Sequence, residues 1–388
     1  MANLKKYFLR CKRIVTFAEV MTLLMKTNKE TKIVLGALFG DEGKGVCVHS
    51  LCKKALDEGK HPLVVRFCGG PQAAHTVDFN GLRHIFSSFG SGTLLNVPTL
   101  YLNTALIDPI CIVNEYNVLI NKGITPKFNV SDAKIITPYD VEFCRNDKKT
   151  LSDGTCGKGV YAALKRSDSG KSFSLDDNPE EILSSAVKYY NTTHCKEFDE
   201  MFLTAFYKVK NLQSEININD YSTIIYEGTQ GLLLDADLGF QPFVTATNTG
   251  LQYFADHELE NAEVYLVMRT YLTRHGNGFT PQQVENYNLN DESESNVYNG
   301  FQGNFKTGVF DFDLLNEAFQ RHKLGNYHET KFTIFLTHLD TVKRNERFIY
   351  VKDKKLHEIN CQNFSQIEKL FCDFPFVSEL KFYDYFLT

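Results

Sequence analysis

The segment Gly36-Ala37-Leu38-Phe39-Gly40-Asp41-Glu42-Gly43-Lys44-Gly45 puts glycines, adjacent carboxylates and an amine into one short stretch. Glycines let backbone amides close on an anion, and Lys44 adds a positive charge, so the stretch suits a phosphate. Asp41 and Glu42 do not, because carboxylates repel phosphate unless a metal lies between them or one of them acts as a base. The Walker spacing, with four residues between its first Gly and Gly-Lys-[Ser/Thr], is not met. Gly45 stands where that pattern has its magnesium-binding hydroxyl. These residue types point to phosphate binding with a second task for Asp41.

Other loops carry related chemistry. Gly69-Gly70-Pro71-Gln72-Ala73-Ala74-His75-Thr76 ends in a His that can hydrogen-bond a transferring phosphoryl group or act as a general acid. A lone His is commonly structural, but the small residues ahead of this one admit a ligand to the backbone. Gly154-Thr155-Cys156-Gly157-Lys158-Gly159 is a second glycine-rich turn, and taken alone it suits any surface turn. Glu227-Gly228-Thr229-Gln230-Gly231 sets an amide between glycines, able to donate to a carbonyl oxygen or simply to face water. Downstream, Pro242–Thr249 offers hydroxyls, Thr245 among them, for phosphate contacts. In Thr337-His338-Leu339-Asp340 the Asp can take the N1 and N2 hydrogens of guanine, or cap a following helix.

Strand-like apolar runs precede these loops: Ile33–Leu35, Leu63–Phe67, Leu100–Leu102, Thr223–Tyr226, Val264–Met268 and Phe332–Leu336. Helical patterns such as Val48–Leu56 and Ile110–Leu119 lie between them. The alternation predicts an α/β fold with a mostly parallel central sheet, flanking helices and ligands at the strands' C-terminal ends. Residues 170–220, polar and helical in pattern, and 285–305, rich in Asn, Glu and Ser, read as insertions or mobile loops rather than core. One large domain is expected over 31–388, preceded by a basic arm over 1–30. In that arm Lys5, Lys6, Arg10, Lys12 and Arg13 come before the first acid, Glu19. An organelle-targeting helix is the other reading of the arm.

A net charge of −5 provides no global basic field for nucleic acid or a membrane. No apolar run reaches the roughly 18 residues that span a bilayer. The ten cysteines lack a Cys-x-x-Cys pair or zinc spacing, which predicts reduced thiols in a cytoplasmic protein.

In this order the loops resemble those of the adenylosuccinate synthetase family. Its marks are Gly-Asp-Glu-Gly-Lys-Gly, Gly-Gly-x-x-Ala-Gly-His-Thr, Gly-Thr-Thr-Gly, Glu-Gly-x-Gln-Gly, Val-Thr-x-x-Asn-Thr, Thr-Arg-x-Gly-x-Gly and Thr-Lys-x-Asp. The counterparts here are Gly40–Gly45, Gly69–Thr76, Gly154–Gly157, Glu227–Gly231, Val244–Thr249, Thr273–Gly278 and Thr337–Asp340, so the match runs from about residue 32 to about 345.

The resemblance implies a P-loop-NTPase-like fold and the joining of IMP to L-aspartate at the expense of GTP, through 6-phosphoryl-IMP. It also implies Mg2+ and a homodimer. By this carry-over Asp41 takes the purine N1 proton and contacts magnesium, with the carbonyl of Ala74 as a further ligand. Gln230 and His75 stabilise charge on O6 and the γ-phosphoryl group. Lys44 and the amides of Gly43 and Gly45 hold GTP phosphates, with Glu42 and Thr76 in the same site and His338 and Asp340 at the guanine. Gln72, Thr155, Cys156 and Thr245 meet the IMP phosphate, and Arg166 is the candidate to reach the partner subunit's IMP site. Arg274, Gly303 and Lys306 are the candidates for aspartate.

The chain departs from the family pattern at several of these positions. Gln72 stands for Asn and Ala74 for Gly; Cys156 replaces a phosphate-binding Thr, and His338 replaces the Lys that stacks along guanine. The family's aspartate-binding loop, Thr-Thr-Gly-Arg-x-Arg-Arg-Thr-Gly, becomes Gly300-Phe301-Gln302-Gly303-Asn304-Phe305-Lys306-Thr307-Gly308. One Lys cannot copy the bidentate fork of an arginine cluster. Either Arg274 or Arg269 compensates, or the amine substrate differs. Two alternatives accompany the main reading. One is the phage-associated branch of the family that acts on dGMP; the other is a purine-nucleotide-binding protein that has lost catalysis.

Overall fold

The computed structural model describes residues 29–383 apart from 153, 255–258, 260, 290–293, 295, 297, 299, 362 and 363. The basic arm, save for its last two residues, lies outside the described residues.

Eight strands form one sheet: β1 (Glu30–Gly36), β2 (Pro62–Arg66), β3 (Thr99–Tyr101), β4 (Phe128–Asn129), β5 (Thr223–Gly231), β6 (Ala262–Arg269), β7 (Lys331–Thr337) and β8 (Val377–Phe382). Their order is β8-β7-β6-β1-β5-β2-β3-β4, and each neighbouring pair is parallel. Each of the six apolar runs marks one of these strands, two of them (Leu63–Phe67 and Leu100–Leu102) running one residue past the strand's end.

Strand residues are buried on both faces, as a parallel sheet covered by helices requires. The period of two sorts them. Ile33, Leu35, Ile224, Tyr226, Val264 and Leu266 face one core, while Val34, Ile225, Tyr265 and Val267 face another. The second core is covered by helix α1 (Lys44–Asp57), which presents Val48, Leu51 and Cys52 at helical spacing.

The expectation that residues 170–220 stand outside the core is corrected. Helices Pro179–Tyr190 and Lys196–Leu212 bury Ile182, Ala186, Phe202, Phe206 and Val209 in a further hydrophobic cluster with Phe128 and Tyr139. Each buries a narrow stripe, so the abundant polar residues on the other faces mask it in the sequence.

Because all eight strands run the same way, their C-terminal ends meet at one edge. The loops after β1 and β2, the end of β5 itself and the turn after β7 all lie there. A four-stranded sheet of Tyr271–His275, Phe305–Asp311, Arg347–Lys352 and Lys355–Asn360 adjoins in sequence, its first strand directly after β6 and its third after β7 by way of helix Leu339–Asn345.

Candidate active site

The loop after β1 opens helix α1. Its N-cap, Gly43, sits at φ 97° and no side chain caps it, so the first amides of a 14-residue helix are left for a ligand. Asp41 takes φ 57°, a conformation uncommon away from glycine. Its carbonyl accepts a hydrogen bond from Arg269 Nε.

Glu42 turns under the loop. Its Oε1 accepts from the Leu38 amide at 2.6 Å, Oε2 lies 3.5 Å from Lys44 Nζ, and both side chains are buried. A Cβ at Gly36 would stand 1.9 Å from Glu42 Oε2, so a side chain there would displace the Glu42 carboxylate from its place. Burial pushes the Glu42 carboxyl up, against the opposing pull of Lys44 and the Leu38 amide. The Glu42 side chain thus braces the loop and is the resting partner of Lys44, while the residue itself lines the cleft of the site.

His75 opens the hairpin His75–Phe79/Leu82–Phe86. Its Nδ1 is 2.6 Å from Glu227 Oε1, while Nε2 has no partner among the described residues. Glu227 also accepts from the Ser91 hydroxyl and, at 3.1 Å, from the Ser91 amide. Burial pulls His75 below the usual imidazole range, with the Glu227 carboxylate opposing it. For Glu227 burial acts upward, but His75, Arg66 and Ser91 together hold it below the ordinary glutamate range.

One cleft of about 710 Å³ joins these parts. Asp41, Gly43, Lys44 and Gly45 line it from the first loop, and Gln72, Ala74, His75 and Thr76 from the second. Glu42, Cys156, Gln230 and His338 complete the predicted set within it. Gln72 Oε1 accepts from the Gly70 amide at 2.8 Å, and its buried Nε2, like Gln230 Oε1, has no partner among the described residues. Burial pushes the Cys156 thiol up to about 11, so it meets a ligand as a neutral group. His338 is held well below the imidazole range, by burial first and by Arg269 second, and Thr337 Oγ1 lies 2.8 Å from its Nδ1.

Thr155, Arg166, Thr245, Arg274, Gly303, Lys306 and Asp340 fall outside that lining. Arg166 is corrected outright. It is 1% exposed, with Nε and Nη2 donating to Asp140, Nη2 also to the Ile135 carbonyl and Nη1 to that of Lys171, so its side chain is engaged within its own subunit rather than offered outward. The exposed cation on the same helix is Lys165. Asp340 accepts from Arg344 Nη2 at 2.7 Å. Arg274 lies over the Phe39 ring and donates to the carbonyls of Asn277 and Phe243, and burial lowers it to about 10. It faces Lys306 across paired strands.

Several residues behind the cleft were not singled out from the sequence. Glu227 stood inside a recognised turn without a role, and Ser91 and Arg66 carry no local signal because only the sheet brings them to His75. The 285–305 stretch adds residues to the site: Glu294 pairs with Arg269 at 2.7 Å, and Asn296, Tyr298 and Gln302 line the cleft.

Fold and site together define a parallel-sheet α/β protein whose glycine-rich loops converge on a single cleft. The family model described as adenylosuccinate synthetase matches residues 33–375, and the chain belongs to that family. Similar curated proteins include the adenylosuccinate synthetases of Histophilus somni (strain 129Pt), 28% identical over 336 residues with 78% of this chain and 76% of that protein covered, and of Actinobacillus succinogenes, 29% identical over 345 residues with 80% and 78% covered. Among solved structures, a fully ligated adenylosuccinate synthetase from Plasmodium falciparum aligns with TM-score 0.66 at 20% identity, covering 86% of this chain and 84% of that one. A succinoaminodeoxyadenylate synthetase of cyanophage S-2L, bound to dGMP and dATP, aligns with TM-score 0.57 at 17% identity, covering 89% and 99%.

Proposed function

We propose that this chain is a GTP-dependent ligase that joins L-aspartate to IMP through 6-phosphoryl-IMP, giving adenylosuccinate for purine synthesis. The observation that carries the reading is the convergence of Asp41, Lys44, His75 and Gln230 on one cleft. A protein that only binds nucleotide needs a cation and amides. It needs neither a carboxylate set among phosphate-binding glycines nor an imidazole aimed inward.

In this reading Asp41 accepts the N1 proton of the purine, which makes O6 a nucleophile toward the γ-phosphorus. Gln230 steadies charge at O6. Lys44, freed from Glu42 by an arriving anion, and the N-terminal amides of α1 hold the phosphates. His75 presents Nε2 toward the phosphoryl oxygens, its ring fixed by Glu227. The Asp41 carboxylate and the Ala74 carbonyl are hard oxygen donors and suit Mg2+. Among the described residues no group of three or more His, Cys, Asp or Glu forms a metal cage. That fits an ion held largely by substrate phosphates; when bound, it would neutralise phosphate charge. The family relation supports a cytoplasmic homodimer, and among the described residues no helix is long and apolar enough to cross a membrane.

The second reading, dGMP in place of IMP, is favoured by one feature. The 300–308 stretch lacks the arginines that serve the ribose in the family, and a deoxynucleotide needs them less. The presence of Asp41 favours IMP.

Asp41→Asn tests the mechanism. Turnover should fall by about 100-fold or more, the range of a lost general base, while nucleotide binding measured by calorimetry persists. Unchanged turnover would remove the base role from Asp41.

A further inference from the structure

We propose that Arg66 is a positioning residue for His75, acting through the carboxylate of Glu227. Arg66 and Glu227 are register partners on the neighbouring strands β2 and β5. Arg66 is wholly buried and its guanidinium nitrogens have no hydrogen-bond partner among the described residues; Nη1 lies 3.8 Å from Glu227 Oε2. A guanidinium in a core without hydrogen bonds is costly, and a hydrophobic side chain of that size would serve packing better. Its retention calls for a task, and burial away from the cleft makes that task an indirect one.

The surrounding charges identify it. Lys44, on α1, is answered by Glu42. The Glu115 carboxylate is taken up by the amides of Ser87 and Ser88. The Tyr101 hydroxyl donates to the Ser88 carbonyl. Cys68 is a buried thiol, pushed up by burial, and Thr229 lies against it. Among the described residues, Arg66 is thus the cation left to balance Glu227. An ionised Glu227, tied to Ser91 by two further bonds, accepts the Nδ1 hydrogen of His75 and fixes the ring with Nε2 toward the cleft. Without Arg66 that carboxylate is a buried charge with no counter-ion, and it loses its hold on the ring.

The kinetic arm of the test rests on the ligase reading, whereas the spectroscopic arm does not. In full-length protein labelled with 15N-histidine, the low-field Nδ1 proton of His75 is assigned by its loss in His75→Ala. Arg66→Met should shift or erase that signal, and Arg66→Lys should keep it. With GTP, IMP and L-aspartate, Arg66→Met should lower kcat about 10- to 100-fold, with KM for GTP changed by no more than about twofold. Added to His75→Ala, it should cause no further loss. A folded Arg66→Met with an unchanged His75 signal, or an equal loss of kcat in both backgrounds, overturns the proposal. Arg66→Gln carries the same expectations should the Met variant not fold. Wild-type protein that releases no phosphate overturns the ligase reading, and the His75 signal then still decides the role of Arg66.

Discussion

At the residue scale, two adjacent acids in one loop have opposite fates. Asp41 is held at positive φ at the cleft edge, whereas Glu42 is buried beneath the loop against Lys44. Their types announced a phosphate loop with an extra task, and nothing in the order Asp-Glu says which one faces outward. That is settled by Gly36, whose missing side chain leaves room for Glu42. A similar economy holds at Gly45, where a Cβ would stand 2.8 Å from His75 Cβ and 3.1 Å from Ser91 Oγ. Gly45→Ala should gain roughly 1 kcal/mol of helix propensity. It should still lower stability by about 1–3 kcal/mol through overpacking. Because His75 and Ser91 are the atoms displaced, kcat should fall at least about tenfold. Urea denaturation and steady-state kinetics on the same sample check both, and an active, more stable variant would contradict the packing argument.

At the scale of elements, the parallel sheet was legible because its strands are short apolar runs followed by glycine loops. The edge strands β4 and β8 were not, since two residues in one and a half-exposed face in the other leave no period to read. The amino end of the sheet is stitched by Glu263 on β6. Its carboxylate accepts from Lys32 on β1 at 2.9 Å and from Lys331 on β7 at 3.0 Å. Burial acts to raise its pKa, but Lys32, Tyr265 and Lys331 outweigh it and bring Glu263 down to about 2. An unfolded Glu titrates near 4.3. The stabilisation from this group is therefore complete above about pH 4.3 and is lost as pH falls toward 2. Glu263→Gln should be less stable than wild type at pH 6, and the gap should close toward pH 2. A gap independent of pH, measured by urea midpoints, would show that packing rather than charge stitches the strands.

At the scale of the whole molecule, residues far apart in the chain meet because loops from β1, β2, β5 and β7 open at the same edge. The order of the loops was enough to suggest the family, and the convergence of Asp41, Lys44, His75 and Gln230 follows from the topology. Helix Val160–Asp168 shows the limit of such reading. Arg166 matches an expected residue type at nearly the expected spacing, yet the fold spends it on Asp140. Contact partners of that kind depend on tertiary packing and leave no trace in spacing. The same limit applies to the amine site, where residues 281–305 carry four acids and no Lys or Arg.

The most direct measurement is therefore phosphate release by purified protein with Mg2+ and L-aspartate, crossing IMP and dGMP against GTP and ATP. The account predicts release with IMP and GTP, with a product that absorbs as adenylosuccinate. Release with dGMP alone would move the chain to the deoxynucleotide branch, and nucleotide binding without release from any pair would contradict the ligase assignment.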